Sequence, residues 1–328
     1  MAAESNQKGH LAPGVDGLDR ASSATMNTPD VSPPELPTPT WRAMLALLRR
    51  LPQGALSRGF GSVADITIPR GLRTSVLGLF ARTVGIDVRE AELPLTEYRS
   101  INAFFVRRLK EGSRAWPFDQ RVMASPVDGV AGQVGQVRGG RVLQAKGRWY
   151  SAAELLGDDE DARRFDGGTF ATLYLSPRHY HRIHAPTSGA IGSARHLPGA
   201  LLPVNAAAVA HVPDLFARNE RLVCYLDGPL GMVAVVAVGA YNVGRISAAF
   251  DPAWNVANGK NGWVTNRADA PTTTHLYTPP IEVVQGDEIM AFHLGSTVVL
   301  LTEPGRLTLT DLVLGAEVRL GQVIGRAE

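Results

Sequence analysis

Cysteine is nearly absent from this chain, which has one, Cys224, among its 328 residues. A single cysteine excludes an internal disulfide and any metal site built from several thiolates. It fits a reducing or cytosol-facing compartment, since disulfides persist mainly in oxidising ones. The fold must therefore be stabilised by an ordinary apolar core, for which a hydrophobic content of 45% is sufficient.

Long hydrophobic runs are also missing. The longest uncharged stretch, Gly228–Gly244, is interrupted by glycines and is shorter than the roughly 20 residues that a membrane-spanning helix needs. Its β-branched content predicts buried strands instead. Residues 1–40 contain no apolar segment of the kind that marks a secretory signal. We therefore expect a protein without a membrane span or a secretory signal.

The first 38 residues are poor in large apolar side chains and rich in Ala, Ser, Thr, Pro and Asp. Such a composition cannot bury enough apolar surface to offset the entropy that is lost on ordering. We expect a disordered tail over residues 1–38, with folding beginning near Thr40, a plausible N-cap for a first helix.

Positive charge is concentrated in residues 41–110, which hold twelve lysines and arginines and five acidic residues. This charge favours an anionic partner, either a nucleic acid or a membrane surface. Apolar side chains and arginines occur together in three stretches, Trp41–Leu51, Leu72–Val84 and Ser100–Lys110. That combination is typical of helices that lie on lipid. We expect a helical, basic amphipathic, membrane-associating region over 39–112; the alternative is a helical subdomain that packs its apolar face on the rest of the protein.

The pattern changes after Trp116, where short apolar stretches alternate with Gly and Pro turns. This alternation predicts a β-rich domain over residues 113–328. The expected fold class is therefore α+β: an N-terminal helical region followed by a sandwich-like or barrel-like β domain.

Three clusters in the β-rich part carry side chains with useful chemistry. "SPVDG" contains Asp128, "YLSPRHYHRIHAP" contains His179, His181 and His184, and "HLGST" contains Ser296. An Asp-Gly pair is commonly only a turn signal. The three histidines suit either zinc binding or acid–base catalysis near neutral pH, although the arginines between them would repel a cation.

A serine hydroxyl becomes a nucleophile only when a base removes its proton, and aspartate and histidine are the residues that supply such help. The Gly-x-Ser-x-Gly motif of common serine hydrolases is absent. The residues alone leave three alternatives open: a lipid-acting serine hydrolase with an Asp-His-Ser triad and no chain cleavage, a zinc hydrolase that uses the three histidines, and a non-enzymatic β-sandwich that binds membranes.

In order and spacing, these clusters resemble the bacterial-type phosphatidylserine decarboxylases, a pyruvoyl-dependent, self-processing family. The resemblance covers residues 40–328 and rests on "INAFFVRRLK", "SPVDG", "LQAKG", "YLSPRHYHRIHAP", "VPDLFARNERLV" and "LGST". His179 departs from the family pattern, in which an acidic residue is expected, so the resemblance gives His179 no role and leaves His181 and His184 as the functional pair.

The resemblance implies that the chain cuts its own backbone between Gly295 and Ser296. His184, oriented by Asp128, would remove the proton of Ser296 Oγ, which then adds to the carbonyl of Gly295 and converts the peptide bond to an ester. β-Elimination releases a carboxylate and leaves dehydroalanine. Tautomerisation and hydrolysis then expel ammonia and leave a pyruvoyl group at position 296.

Two chains would result, a β chain over 1–295 and an α chain over 296–328, which form a heterodimer with possible further homo-oligomers. The covalent pyruvate derived from Ser296 is the expected cofactor, and no metal is expected. Through a Schiff base with the substrate's amine, the pyruvoyl group would act as an electron sink and convert phosphatidylserine to phosphatidylethanolamine and CO₂. His181 would take part in proton transfer. The resemblance further implies a peripheral protein on the cytoplasmic side of the cell membrane, bound to phosphatidylserine and anionic lipid but not to nucleic acid.

Overall fold

The computed structural model describes residues 63–145, 147–240, 245–255, 271–293, 296–310 and 312–328, together with the backbone of 264–265. All of them belong to one compact unit, Leu36–Glu328. The expected disordered tail and the expected first helix lie outside the described residues. So does Gly295, one of the two residues at the expected cleavage site.

The described part of the N-terminal region is a small helical unit. Its helices are α1 (Arg70–Val84) and α2 (Ile101–Phe105), with 3₁₀ turns at Val88–Glu90 and Leu95–Glu97 between them. Gly85 ends α1 in the left-handed conformation, with φ of 80°, which glycine adopts without a Cβ clash. The Oγ of Ser100 accepts a hydrogen bond from the N–H of Ala103 and caps α2.

The apolar residues of α1 divide between two faces. Leu77 and Ala81 are buried in a small core with Tyr98 and Phe104. Three further apolar residues, Leu72, Val76 and Leu79, are 55%, 37% and 67% exposed. One face of α1 therefore packs on its neighbours while another presents apolar side chains outward. Near it, α2 ends at Phe105, earlier than the sequence stretch Ser100–Lys110 suggested.

The remainder is β-rich, with short helices between strands. The strands are β1 (Val122–Ala124), β2 (Gly129–Gln136), β3 (Arg141–Ala145), β4 (Arg148–Ser151), β5 (Thr169–Leu175), β6 (Arg182–His184), β7 (Gly189–Leu197), β8 (Arg221–Gly228), β9 (Gly231–Val238), β10 (Arg245–Ala248), β11 (Val264–Thr265), β12 (Thr273–Val283), β13 (Glu288–Phe292), β14 (Ser296–Thr302), β15 (Leu307–Leu309), β16 (Glu317–Val318) and β17 (Val323–Ala327). The helices are α3 (Ala152–Leu156), α4 (Asp159–Phe165), α5 (Ala206–His211) and α6 (Leu215–Arg218).

An antiparallel sheet of eight strands, in the order β12-β7-β8-β9-β14-β5-β2-β16, is the centre of the fold. A four-stranded sheet, β11-β10-β13-β6, covers one of its faces, and the short helices cover the other. Successive side chains of a strand point to opposite faces. Val298 and Leu300 of β14 accordingly join the core beneath the four-stranded sheet, while Val299 and Leu301 join the core beneath the helices.

This arrangement agrees with the expected β-rich part of an α+β protein. None of the helices in the described ranges combines the length and the apolar character needed to cross a membrane.

Candidate active site

The register of the central sheet brings distant parts of the chain to one edge. Ser296, the first residue of β14, lies opposite Leu175 at the end of β5, and Val130 of β2 lies opposite Tyr174. Asp128 precedes β2 at the same edge. Neighbouring strands are about 4.8 Å apart, so the strands that carry Asp128 and Ser296 are separated by roughly 10 Å.

Glycine is required beside Asp128 for a steric reason. A Cβ at Gly129 would lie 2.8 Å from the carbonyl oxygen of Tyr174, which is closer than a side chain can approach. The Asp-Gly pair of "SPVDG" therefore does more than make a turn, because it also lets β2 pair closely with β5.

Ser296 is almost completely buried, and its hydroxyl has no hydrogen-bond partner among the described residues. Its side chain belongs to the same face of β14 as Val298 and Leu300, beneath the four-stranded sheet. Leaving a buried hydroxyl unpaired costs about 1–3 kcal/mol. An unpaired hydroxyl at this position is suited to a group that reacts rather than one that stabilises the fold.

Asp128 is held by a tight polar network. Its Oδ1 accepts hydrogen bonds from Arg114 Nε at 3.0 Å and from the N–H of Leu320 at 2.8 Å, and its Oδ2 accepts one from Arg114 Nη2 at 2.5 Å. Arg114 also donates to both carboxylate oxygens of Glu90 at 3.1 and 3.0 Å. The arginine thus connects Asp128 with a 3₁₀ turn of the helical region.

His184 is half-buried, with both ring nitrogens engaged. Nδ1 lies 2.6 Å from the carbonyl oxygen of Gly286, and Nε2 lies 3.1 Å from the hydroxyl of Tyr180. A carbonyl can only accept, so Nδ1 carries the proton and Nε2 offers its lone pair to the tyrosine. Burial lowers the pKa of His184, which keeps the ring neutral and able to act as a base.

In the described part of the chain, no hydrogen bond joins Asp128 to His184 or His184 to Ser296. The elements that carry Asp128 and His184 are nevertheless adjacent, because the N–H of His184 donates to the carbonyl of Pro126 at 2.9 Å. The carbonyl of Gly286 occupies the Nδ1 position that an aspartate fills in a triad. The catalytic roles of these three side chains therefore stay predictions.

His181 is fully buried and packs on Phe105, with ring centroids 4.0 Å apart. Its Nδ1–H donates to the carbonyl of His179 at 2.8 Å, while its Nε2 has no partner among the described residues. Burial, together with the charge of Arg107, lowers the pKa of His181 well below its usual value. The ring is therefore neutral, and Nε2 carries a free lone pair.

His179 has a different environment. Its Nδ1 accepts a hydrogen bond from the N–H of Ser176 at 3.0 Å, and its Nε2 lies 3.1 Å from a carboxylate oxygen of Glu317, which also pairs with Arg178. Burial lowers the pKa of His179 even though Glu317 acts in the opposite direction. Its contacts are those of a structural residue. Across the described ranges, no group of three His, Cys, Asp or Glu side chains is placed to hold a metal ion.

A cleft of about 800 Å³, which the sequence did not predict, is lined by residues of several of the stretches named above. Residues from the helical region, including Asn102 and Arg108, line one side, and residues of the four-stranded sheet line the other. The lining reaches His293, whose Nε2 lies 3.1 Å from Ser247 Oγ. Burial and two nearby arginines lower the pKa of His293 to about 3. His293 comes three residues before Ser296 in the chain.

Arg107 and Arg114 were also missed as functional candidates. The sequence shows only that Arg107 is a basic residue of the positively charged segment 41–110 and that Arg114 is a basic residue after it. Nothing in it shows that two guanidinium nitrogens of Arg107 are buried without a partner or that Arg114 bonds to Asp128.

Known proteins give independent information about this chain. The family model described as phosphatidylserine decarboxylase matches residues 101–326. A phosphatidylserine decarboxylase proenzyme of Anaeromyxobacter sp. (strain K) is 46% identical over 287 residues, 87% of this chain and 99% of the relative. Proenzymes of the same name from Myxococcus xanthus and Azotobacter vinelandii are 43% and 42% identical, over 87% and 84% of this chain and 98% and 95% of their own lengths. With matches that extend over most of both sequences, this chain belongs to the phosphatidylserine decarboxylase family.

Proposed function

We propose that this chain is a precursor that cuts itself between Gly295 and Ser296 and then, as a peripheral membrane enzyme, converts phosphatidylserine to phosphatidylethanolamine and CO₂. The decarboxylase activity and the proenzyme character follow from the family. The cleavage position, the residues that perform it and the membrane surface are the proposed part. One observation supports that part above all: the buried, unpartnered hydroxyl of Ser296 at the edge of the central sheet.

His184 is proposed as the base for self-cleavage. Its ring is neutral, its Nδ1–H is fixed by Gly286, and its Nε2 already accepts a hydrogen bond. Nε2 is therefore the atom that would take the Ser296 proton once the hydroxyl of Tyr180 releases it. Asp128 is proposed to support this step electrostatically, because Arg114 holds its carboxylate near β6, the strand that carries His184.

The residues present fit a pyruvoyl group at position 296. The Ser296 Oγ, which would leave with the carboxylate of the larger chain, is buried and unpaired, and the neighbouring side chains on that face are apolar. When formed, the group supplies an electron sink for the loss of CO₂. His181 Nε2, whose buried lone pair has no partner, is proposed to take a proton from the substrate's ammonium group and then to pass it to the carbon that loses the carboxylate.

The lipid surface is proposed to contact the helical region. Leu72, Val76 and Leu79 form an exposed apolar stripe on α1, and Arg70 and Arg82 lie on the same helix. Apolar side chains that enter the headgroup layer, combined with arginines, attract anionic lipid. We propose that this contact is on the cytoplasmic leaflet.

Intact-mass spectrometry of the purified protein tests the cleavage. We expect two chains divided between Gly295 and Ser296, with a pyruvoyl mass at the start of the smaller chain and reactivity of that chain toward hydrazine. A Ser296→Ala variant should remain a single uncut, inactive chain. A fully active wild-type preparation that consists of one intact chain would overturn the proposal and favour a serine hydrolase.

A further inference from the structure

Arg107 is a buried arginine whose charge is not paired. The residue follows the C-terminus of α2 and is only 3% exposed. Its Nε and Nη1 atoms have no hydrogen-bond partner, and no acidic side chain of the described residues forms an ion pair with it. The guanidinium carbon lies 5.4 Å from the centroid of the Phe104 ring, so an aromatic face is its nearest favourable contact.

An unpaired buried guanidinium is costly because arginine stays charged at any physiological pH. The nearby carboxylates do not offset the cost directly, since Asp128 and Glu90 both bond to Arg114. Burial lowers the pKa of Arg107 but cannot remove its proton near neutrality. A buried guanidinium without an ion-pair partner is suited to binding a ligand that supplies an anionic group.

A second unpaired group lies in the same part of the fold, on a residue that contacts α2. His181 Nε2 is buried without a partner, and the charge of Arg107 is close enough to act on the His181 ring. Consecutive residues of α2 support the two side chains, because Phe104 packs beneath Arg107 and Phe105 packs against His181. Together the two side chains offer unpaired N–H donors and an unpaired lone pair.

We propose that Arg107 binds an oxyanion of the lipid headgroup, with the lone pair of His181 Nε2 accepting an N–H from the headgroup's amino group. A guanidinium presents its N–H groups in a planar fork that matches the oxygens of a carboxylate or a phosphate. The serine headgroup of the proposed substrate carries a carboxylate, a phosphodiester and an amine. The inference rests on the proposed function and adds to it the side chain that recognises the headgroup.

The test uses the cleaved enzyme with Arg107→Met, Arg107→Gln and, as a matched control, Arg89→Met, which removes an arginine of the same helical region whose side chain is 86% exposed. Three water-soluble short-chain lipids are compared: phosphatidylserine by its KM, and phosphatidylethanolamine and phosphatidylserine methyl ester by calorimetric Kd. A hydrogen bond to a charged group contributes about 1.5–3 kcal/mol, so we expect both Arg107 variants to weaken binding by about 10- to 150-fold.

The pattern across the lipids identifies the oxyanion. If Arg107 binds the carboxylate, only the KM for phosphatidylserine rises, and the two Kd values stay unchanged. If it binds the phosphodiester, all three constants rise together. The inference is overturned if the Gln variant, with wild-type melting temperature and complete cleavage, shows none of these changes, or if Arg89→Met reproduces them. Failure of the proposed function would look different, since the wild-type protein would then show neither cleavage nor decarboxylation.

Discussion

At the scale of single residues, buried polar atoms without partners separate structural from functional side chains. Most buried polar groups in folded proteins are hydrogen-bonded. Here Ser296 Oγ, His181 Nε2 and two nitrogens of Arg107 are not. The Tyr150 hydroxyl is also unpaired, but it lies in the apolar core on the other face of the sheet. An unpaired atom therefore indicates function only where other reactive groups surround it.

Arg114 is the residue whose loss should most clearly affect maturation without touching the reacting atoms. The side chains of Arg114 and Asp128 are 9% and 12% exposed, and removing one partner of such a pair costs about 3–5 kcal/mol. We expect Arg114→Met to lower the free energy of unfolding by about that amount and to slow self-cleavage, because Asp128 is no longer held. Urea denaturation and the fraction of cut chain with time measure the two effects.

The control for Arg114 is Arg70→Met, which breaks an exposed ion pair with Glu97 in the same helical region. Exposed pairs contribute little, so its cleavage rate should match the wild type, with stability changed by less than about 1 kcal/mol. Arg114→Met protein that folds and cuts itself at the wild-type rate would show that Asp128 needs no such support.

At the scale of elements, local sequence patterns predicted that a helix forms but not which of its side chains are buried. The apolar spacing of Leu72–Val84 predicted a helix, and α1 spans Arg70–Val84. Within this helix Leu72, Val76 and Leu79 are exposed, whereas Leu77 is buried. Periodicity identifies an apolar face, but only tertiary packing decides what covers each part of it.

The exposed stripe of α1 gives a prediction about membrane binding. We expect Leu72→Ser combined with Leu79→Ser to reduce co-sedimentation with vesicles that contain phosphatidylserine by tenfold or more, because two large apolar side chains no longer enter the lipid. Burying one such side chain contributes about 1.5–3 kcal/mol. Activity toward a short-chain soluble substrate should stay unchanged.

A matched control exists in the β-rich part of the protein, outside the helical region. Leu276 on the edge strand β12 and Leu314 are 77% and 45% exposed. Their double replacement by serine removes similar apolar surface outside the helical region and should leave vesicle binding intact. Equal losses in the two double variants would mean that α1 has no special part in lipid contact.

At the scale of the whole molecule, the site depends on strand pairings that no local pattern contains. Resemblance to a family supplied Asp128, His184 and Ser296 from the sequence, and the family itself is confirmed. The sequence did not predict that Gly286 and Tyr180 bond to His184, or that Arg114 joins Asp128 to Glu90. Apart from the contact between Tyr180 and His184, which are four residues apart, these contacts join segments 14 to 102 residues apart, so they follow from tertiary packing rather than from neighbouring residues.

The same topology explains how the proposed smaller chain would remain attached. All seven residues of β14 are buried, and the strand pairs with β5 on one side and β9 on the other. β17 pairs with β1, and β16 pairs with β2. A cut before Ser296 would therefore leave residues 296–328 bonded into two sheets.

Buried histidines should make the stability of the whole molecule depend on pH. Burial lowers the pKa values of His181, His184 and His293 from an ordinary value of 6.5, in the last case to about 3. Below pH 6.5 the unfolded chain takes up protons that the folded chain does not. Stability is thus complete above that pH and falls as pH decreases toward the folded pKa values. The raised pKa of buried Glu220 acts in the opposite direction at the acidic end.

A comparison of two variants isolates this effect for one histidine. In a Ser296→Ala background, whose single chain unfolds without losing a fragment, His293→Gln removes one of the groups that only the unfolded state protonates. Each such group lowers stability by about 1.4 kcal/mol per pH unit below its ordinary pKa.

We therefore expect the unfolding free energies of the two proteins, measured in urea from pH 7.5 to 4.5, to run parallel above pH 6.5. Below pH 6.5 the two curves should converge or cross, because the stability of the protein that retains His293 falls more steeply, by about 1.4 kcal/mol per pH unit. Parallel curves throughout would show that His293 takes up its proton in the folded state.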